Sequence, residues 1–385
     1  MGAVMIVAML YFDHNATTPL LPAARAAWLA ASDKFMGNPS SPHRAGARAD
    51  AAIGSARAQL AGYLGCEADE IFWTSGATES NNTVLHHFAE AANSDAEVWV
   101  SAIEHPCVIE STGHFFSKRR RLLPVSRDGT LELGELESAL KKARPALVAV
   151  MAVNNETGVL QPWREALALC QARGVPFFCD AAQWLGKLPG AGLGACDFVS
   201  GCAHKFGGPK GVGFLKCPGK VRLRPLLLGG HQEAGRRAGT ENVPGILSML
   251  AALEAREIAL KSGEDRPRQE WRRHFEERLR NRLPETVVIG AGAERLWNTV
   301  CALMPSVDCR SRWVVKLDKA GYAVSTGSAC AAGREEPSRV LAAMGCAPAE
   351  AARALRFSSG WETTEDDWSS LADGLTRVYR QMQSA

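Results

Sequence analysis

The sequence predicts an α/β fold in which a mostly parallel sheet forms a large domain and a smaller α/β domain follows. Short runs rich in β-branched and aromatic residues alternate with helix-like segments along much of the chain. These runs are apolar throughout, which is typical of strands that helices cover on both faces. Polar residues collect directly after the runs, and ligands bind at these carboxyl ends of parallel strands.

The alternation can be followed in chain order. The runs "EIFWTS", "EVWVSAI", "ALVAVMAV" and "VPFFCDAAQ" each lead into a helix-like or turn segment, and "DFVSGCA" and "VGFLKC" enclose the glycine-rich "HKFGGPKG". A helical pattern with Ile246, Leu250 and Leu253 then precedes the polar stretch "KSGEDRPRQE", where we place the domain change. We expect a large domain at 15–260 and a small domain made of 1–14 and 261–385.

Composition and charge argue against several classes of function. The chain has 385 residues and a net charge of +3, so no strong attraction to nucleic acid or to a membrane surface follows. The basic run at 118–121 precedes an apolar "LLPV" and is predicted to be a solvated helix end. No apolar run reaches the length of a transmembrane helix. The start "MGAVMIVAMLYF" lacks the basic region of a signal peptide and is interpreted as a short strand or a start-site extension.

Eleven cysteines are scattered along the chain without a C-x-x-C pair. This pattern argues against a disulfide framework and against a zinc ribbon, and we expect no metal site. Because thiols stay reduced in the cytoplasm, the pattern predicts a cytoplasmic protein.

A lysine in a glycine-rich setting is the first candidate for chemistry. In "SGCAHKFGGPKGVGFL", Lys205 follows a histidine and precedes glycines that permit sharp turns and a close backbone approach. A buried lysine with a lowered pKa is a good amine nucleophile for a carbonyl group. A solvated lysine in an ordinary strand–turn–strand unit explains this stretch equally well, so the other motifs must decide.

Two further motifs follow predicted strands. In "TSGATESNN" a serine–glycine turn opens a helix, and free N–H groups at that end favour an anion, with Thr78 adding a hydroxyl. A plain capping turn is the alternative, and the G-x-G-x-x-G and P-loop patterns are absent. Asp180 ends the apolar "FFCD" and needs a cationic partner or strong donors if buried, whereas an N-cap role is its ordinary reading.

A lysine, a carboxylate, a histidine and an anion-binding turn together suggest pyridoxal phosphate (PLP). At this point the chain resembles cysteine desulfurases of the NifS/IscS type, which are class V aminotransferase-like proteins with the fold type I of PLP enzymes. The resemblance extends from Tyr11 to the C-terminal "LRFSSGWETTEDD". It implies a seven-stranded sheet. It rests on the motifs "YFDHNATTP", "GNPSSPH", "TSGATESNN", "NNETG", "AHKFGGPKGVG", "GGHQEAGRRAGTEN", "STGSAC" and "EEPSRVLAAMG".

The resemblance implies roles for individual residues. Lys205 would hold PLP as a Schiff base, His105 would stack on its ring and move protons, and Asp180 would pair with the ring nitrogen. Gln183 would contact the ring hydroxyl. The remaining cofactor contacts would be Ala77, Thr78, Asn155, Cys202, His204 and Thr240, and the substrate carboxylate would be held by Asn15, Asn155 and Arg356.

Thr240, in "RAGTEN", would reach the phosphate of the partner subunit, which implies a homodimer with shared sites. The chain departs from the family in two places. Cys202 stands where the family usually has serine, and His231 replaces the third glycine of the usual "GGGQE". A thiol is a weaker donor than a hydroxyl, so phosphate affinity is what Cys202 affects. Ser200, two residues earlier, points the same way as Cys202 if the strand continues.

Cys330 lies in "STGSACAAGREEPSRVL", between a predicted strand and a predicted helix. Small residues around it indicate an accessible loop, which a nucleophilic thiol requires. On chemistry alone, Cys330 is explained equally well as a small residue that fills a loop. The resemblance makes Cys330 the carrier of a persulfide made from L-cysteine. The long segment around it matches relatives whose cysteine travels to an acceptor protein, such as an iron–sulfur scaffold.

Two alternatives stay open on the sequence alone. The first is another PLP enzyme on the same fold, either a selenocysteine lyase or a class V aminotransferase, and a transaminase would not need Cys330. The second is a non-catalytic scaffold that binds sulfur-acceptor proteins. Intact Lys205, Asp180, His105 and Arg356 argue against the scaffold. The sequence leaves the acceptor, and the choice between cysteine and selenocysteine, undetermined.

Overall fold

The structure is a computed structural model that describes residues 9–91, 93, 95–307, 310–326 and 338–384. Its strands are numbered in chain order. They are β1 (Leu10–Tyr11), β2 (Ile71–Thr74), β3 (Val98–Ser101), β4 (Arg120–Leu123), β5 (Leu147–Ala149), β6 (Phe177–Asp180), β7 (Phe198–Cys202), β8 (Gly213–Lys216), β9 (Val287–Val288), β10 (Thr299–Leu303), β11 (Tyr322–Ala323) and β12 (Ala354–Ser358).

The helices are numbered in the same way. Within the described ranges, none of them is both long enough and apolar enough to span a bilayer. They are α1 (Pro22–Lys34), α2 (Arg44–Leu64), α3 (Ala77–Ala91), α4 (Pro106–Phe116), α5 (Leu133–Lys142), α6 (Trp163–Gln171), α7 (Val243–Lys261), α8 (Arg266–Arg282), α9 (Arg310–Lys319), α10 (Arg339–Ala343), α11 (Pro348–Ala351) and α12 (Glu365–Gln383).

One large sheet organises the first part of the chain. It has seven strands in the order β2-β8-β7-β6-β5-β3-β4. The neighbours from β4 to β7 are parallel, whereas β8 is antiparallel to both β7 and β2. The prediction of an α/β fold with a mostly parallel, seven-stranded sheet is confirmed.

Helices cover both faces of this sheet. Phe177 and Cys179 of β6 belong to a core with residues of α2, α6 and α7, whereas Phe178 belongs to a core with residues of α3 and α4. This alternation is the period of two of a strand, and all of β6 is buried. A strand buried on both faces needs apolar residues at successive positions, which is why "FFCD" is apolar up to Asp180.

The C-terminal part contains two smaller sheets. β12, β10 and β9 pair antiparallel in that order, and β1 pairs parallel with β11. Helices α8, α9 and α12 pack with them around Phe12, Trp313 and Trp368. The boundary predicted between residues 260 and 261 falls at the end of α7, and the division into two domains stays a prediction.

The basic run at 118–121 corrects one prediction in part. Lys118 and Arg119 end the short 3-10 helix Ser117–Arg119, as predicted. Arg120 and Arg121 instead begin β4, the edge strand of the large sheet. The Arg121 guanidinium lies over the ring of Trp99, 4.9 Å from its centroid, and Arg120 donates to the carbonyl of Ile109 at 2.8 Å. Charged side chains on an edge strand oppose pairing with another chain, which suits this position.

Candidate active site

A cavity of about 570 Å³ opens beyond the carboxyl ends of β2, β3, β5, β6 and β7. Parallel strands bring their ends to one edge of a sheet, so residues far apart in sequence meet there. The structure brings eleven of the sequence-predicted residues into the lining of this cavity. They are Asn15, Ala77, Thr78, His105, Asn155, Asp180, Gln183, Cys202, His204, Lys205 and Arg356.

Two predicted residues remain, Thr240 and Cys330. Thr240 is exposed and does not border the cavity of its own chain, so its predicted contact with a partner subunit stays a prediction. Cys330 lies outside the described residues. The nine cysteines within the described ranges are free thiols, and two of them, Cys107 and Cys202, line the cavity.

Lys205 comes from the turn that joins β7 to β8. Its ammonium group donates to the backbone carbonyls of Asn15 and Ala16, the latter at 2.8 Å, so the N-terminal segment holds it at the cavity. Gly207 has a φ of 98°, and a Cβ there would meet Leu21 at 2.6 Å. A glycine is therefore required for the chain to turn away directly after the lysine.

Asp180 ends β6 with its side chain buried. Its Oδ2 accepts a hydrogen bond of 2.7 Å from Asn81 Nδ2, and its Oδ1 accepts one of 2.9 Å from the backbone N–H of Ala182. The strong donors that a buried carboxylate needs are thus present. The carboxylate oxygens can accept a further hydrogen bond from a ring N–H in the cavity.

His105 caps α4 at the cavity wall. Its Nδ1 accepts a hydrogen bond from the backbone N–H of Cys107 at 3.2 Å and lies 2.9 Å from the Cys107 sulfur. Burial lowers the pKa of His105, and the charge of Lys205 lowers it further, against the opposing effect of Asp180. The imidazole is therefore neutral near pH 7. Because Nδ1 accepts, the ring proton resides on Nε2.

The turn between β2 and α3 forms a polar end of the cavity. The N–H of Ser75 donates to Glu79 at 2.8 Å, and Glu79 pairs with Arg237 at 2.9 Å. The backbone of Gly76, Ala77 and Thr78 leads into the first turn of α3, a helix of 15 residues whose N-terminus favours an anion.

His204 lies beside Lys205, and its Nδ1 is 3.2 Å from the hydroxyl oxygen of Thr17. Burial lowers the pKa of His204 to about 4, and the charges of Lys205 and Lys187 add to this effect. A neutral imidazole carries one N–H and can donate one hydrogen bond to a bound anion.

Cys202 is the residue that departs from the family pattern. It ends β7 and is buried, and burial raises the pKa of its thiol to about 11. The thiol is therefore protonated and offers a weak donor to the cavity. Ser200 lies two residues earlier in the same strand and is fully buried, but it does not line the cavity.

Arg356 brings a positive charge to the cavity from β12, in the C-terminal part of the chain. It is buried, its Nη2 lies 2.6 Å from Asp13 Oδ1, and its Nη1 donates to the carbonyl of Asn155 at 3.0 Å. Asn15 donates to the same carbonyl at 3.2 Å and to Thr299 at 2.9 Å. A fixed guanidinium of this kind suits a carboxylate.

Sequence reasoning missed several residues of the site. Asn81, which holds Asp180, lies one helical turn after Ala77 in "GATESNN", so helical spacing from the anion-binding turn was the available signal. Cys107 lies two residues after His105 and carried no comparable signal. Asp13 lies in the motif "YFDHNATTP", but no spacing along the chain links it to Arg356.

Comparison with known proteins agrees with this geometry. The family model described as aminotransferase class-V matches residues 10–371. A cysteine desulfurase of Klebsiella pneumoniae is 40% identical over 361 residues, which cover 93% of this chain and 89% of the relative. A cysteine desulfurase of Cereibacter sphaeroides is 38% identical and covers 97% of this chain and 96% of the relative. A solved NifS-like protein superposes with a TM-score of 0.88 at 31% identity, covering 97% of this chain and 99% of that chain.

Proposed function

This chain belongs to the class V aminotransferase family and is a cysteine desulfurase, and we propose that it moves the sulfur of L-cysteine onto its own Cys330. The observation that carries the proposal is the meeting of Lys205, Asp180 and His105 around one cavity, with Arg356 at its border. An amine, a carboxylate, an imidazole and a guanidinium are the groups that PLP chemistry on an amino acid requires.

The residues of the cavity fit PLP. Two donors hold the carboxylate of Asp180 in place for the ring nitrogen, and the turn at 76–78 offers N–H groups to a phosphate. Lys205 supplies the amine that anchors the cofactor. When bound, PLP withdraws electrons from the carbon that bears the substrate amino group, which labilises the bonds around that carbon.

The residues of the chain then divide the remaining tasks. Arg356 binds the carboxylate of L-cysteine, with Asp13 and Asn155 fixing its orientation. Lys205 Nζ takes the proton from the α-carbon, because a neutral amine is a base of suitable strength. His105 is neutral and carries its ring proton on Nε2, so it can donate a proton to the substrate in a later step.

Sulfur transfer requires a nucleophile, and we assign it to Cys330. Its thiolate attacks the sulfur of the bound cysteine, so an S–S bond forms while the C–S bond breaks. The electron pair of the C–S bond stays on the β-carbon, which takes up a proton. The α-carbon then regains the proton held at Lys205 Nζ, so that L-alanine is formed. The products are L-alanine and a persulfide on the protein, which a sulfur-acceptor protein such as an iron–sulfur scaffold then receives.

The assembly and location of the enzyme are parts of the same proposal. The exposed position of Thr240 leaves it available to a second copy of the chain, where it would contact the partner's cofactor phosphate. A homodimer with shared sites follows from this contact. The cytoplasm stays a prediction from the cysteine pattern, since reduced thiols are the rule there.

The test is incubation of the PLP-loaded enzyme with L-cysteine and a reductant, with sulfide and alanine measured together. We expect both products in equal amounts in the wild type. Mass spectrometry without reductant should locate the added sulfur on the peptide that contains Cys330, and Cys330→Ala should lose sulfur delivery.

The matched control is Cys346→Ala, which removes a partly exposed thiol that does not line the cavity. This variant should keep full activity. Added sulfur on another cysteine, or full activity on L-cysteine in Cys330→Ala, would make the assignment of Cys330 wrong.

A further inference from the structure

A second lysine lies directly behind the wall of the cavity. Lys187 is 3% exposed and borders a small internal void together with Lys205, which lines the main cavity as well. Lys187 itself does not line the main cavity. Burial of a lysine is costly in free energy unless the ammonium group gains good partners, so this position requires an explanation.

The partners of Lys187 are neutral oxygens. Its Nζ donates to the side-chain Oε1 of Gln183 at 2.7 Å and to the backbone carbonyl of Gln183 at 3.3 Å. Among the described residues, no carboxylate forms an ion pair with it. The charged and titratable groups around it are Lys205, Cys202, Arg356, Arg256, His14 and Glu362.

The amide of Gln183 is held at both ends. While its Oε1 accepts from Lys187, its Nε2 donates to the backbone carbonyl of Asn15 at 2.9 Å. Lys187 Nζ donates to the amide oxygen and the carbonyl of Asn15 can only accept, so these two partners favour one orientation of the amide. The carbonyl of Asn15 also accepts from Lys205, which places Nε2 on the Lys205 side of the amide.

We propose that Lys187 is a positioning residue: the hydrogen bond from its Nζ holds Gln183 so that an N–H, and not the amide oxygen, faces the group bound next to Lys205. The terminal torsion of glutamine has two broad minima, so without Lys187 only the carbonyl of Asn15 opposes a turn of the amide oxygen toward that group. Below about pH 7, where Lys187 carries its proton, the charge beside the amide oxygen also polarises the N–H and strengthens it as a donor.

The inference deepens the proposed function and rests on it. The group that receives the hydrogen bond is the ring oxygen of PLP, which is anionic and accepts. An amide oxygen in its place would repel that oxygen. Lys187 therefore lowers the pKa of the cofactor group whose protonation changes the visible absorbance. It acts through Gln183 and does not touch the cofactor.

The experiment titrates the visible absorbance of the PLP-loaded enzyme against pH in the wild type and in Lys187→Met. We expect the midpoint of the absorbance change to rise by roughly one pH unit in the variant, because the hydrogen bond that orients Gln183 is lost and its N–H stabilises the anionic oxygen less well. The matched control is Lys216→Met, since Lys216 is equally buried and donates to the carbonyl of Cys196 at 2.7 Å, outside the cavity lining. Its midpoint should equal that of the wild type.

A double-mutant cycle separates an effect through the amide from a direct effect of charge. Gln183→Met should raise the midpoint by itself. If Lys187 acts through Gln183, adding Lys187→Met to Gln183→Met produces no further shift. Two shifts that add in the double variant, or an unchanged midpoint in Lys187→Met, would overturn the inference.

Lys187→Gln provides a second variant if Lys187→Met does not fold, since glutamine keeps a polar group at the site but can donate or accept. It should raise the midpoint in the same direction, and an unchanged midpoint would count against the inference. Failure of the proposed function looks different: the PLP-loaded wild type would then form no alanine and no sulfide from L-cysteine, whatever the midpoint of its absorbance.

Discussion

The two ends of the cavity are built in different ways. At the sheet end, Asp180 and Lys205 follow the adjacent parallel strands β6 and β7, so neighbouring segments of one sheet set their positions. At the other end, Arg356 meets Asn155 and Asp13, which are 201 and 343 residues away in sequence. The sheet end depends on the continuity of strands, whereas the arginine end exists only when distant segments pack together.

The difference also separates two tasks. The sheet end collects the groups that fit a cofactor, and the arginine end supplies a paired guanidinium that fits a carboxylate. Changes at the sheet end should therefore remove the chemistry or alter the cofactor, whereas changes at the arginine end should weaken substrate binding and leave the cofactor in place. Five variants test this division.

The largest effect is expected from Lys205→Ala. Loss of the amine removes both the anchor of the cofactor and the base, so turnover should fall below detection and the visible absorbance of the bound cofactor should disappear. Spectra and alanine formation measure the two losses separately. Normal turnover in this variant would show that the assignment of cofactor chemistry to the sheet end is wrong.

The second effect concerns stability and pH at Lys187. Burial lowers the pKa of this lysine to about 7 from an ordinary 10.5, so between these values the unfolded chain binds a proton that the folded chain does not. The stability of the wild type relative to Lys187→Met should stay constant below about pH 7. It should then rise toward pH 10 by up to about 1.4 kcal/mol per pH unit.

Urea unfolding of the two proteins at pH 6, 7, 8 and 9.5 measures this difference. A flat difference would mean that Lys187 keeps its proton throughout. Lys187 and Arg356 would then both be charged in the folded protein, although of these two only Arg356 has a carboxylate partner among the described residues. The contrast between a neutral buried lysine and a paired buried arginine would be wrong.

At the arginine end, Arg356→Lys keeps the charge and loses the planar pair of donors. A hydrogen bond to a charged group contributes about 1.5–3 kcal/mol, so the KM for L-cysteine should rise roughly tenfold to a hundredfold. The visible spectrum of the bound cofactor should not change. Loss of the cofactor in this variant would show that the two ends are not separate.

Thr240→Ala tests whether a second chain completes the sheet end. The dissociation constant for PLP should rise by roughly fivefold, which corresponds to the loss of one hydrogen bond of about 1 kcal/mol. Sedimentation at micromolar concentration should show a dimer for both proteins. A fully active monomer would contradict the shared site.

The smallest effect is expected from Cys202→Ser. A hydroxyl donates better than a thiol, so PLP should bind more tightly, by no more than about 1 kcal/mol, with the same products. Equilibrium titration of the PLP-depleted enzyme measures the change. If the serine variant lost PLP, the thiol of Cys202 would have a role beyond a weak donor.

Much of the sheet end could be predicted from the sequence. Asp180, His105 and Lys205 each follow an apolar run, and parallel strands end at one edge, so their convergence followed from the pattern. In the basic run at 118–121, the prediction of a helix end holds for Lys118 and Arg119 but is wrong for Arg120 and Arg121, because a short exposed strand and a solvated helix end share the same composition. Only the edge position, which the sheet order sets, distinguishes them.

The sequence by itself determined the α/β class, the mostly parallel sheet and the meeting of strand-end residues such as Asp180, His105 and Lys205, because strand periodicity and motifs adjacent to strands are local properties. The family resemblance, and not the periodicity, added Asn15, Cys202 and Arg356 to the predicted lining and implied the role of each residue. Only the tertiary structure decided that Asn81 holds Asp180 and that Asp13 holds Arg356. It alone placed Lys187 behind Gln183. These contacts depend on the directions of buried side chains in packed elements, and no spacing along the chain encodes those directions.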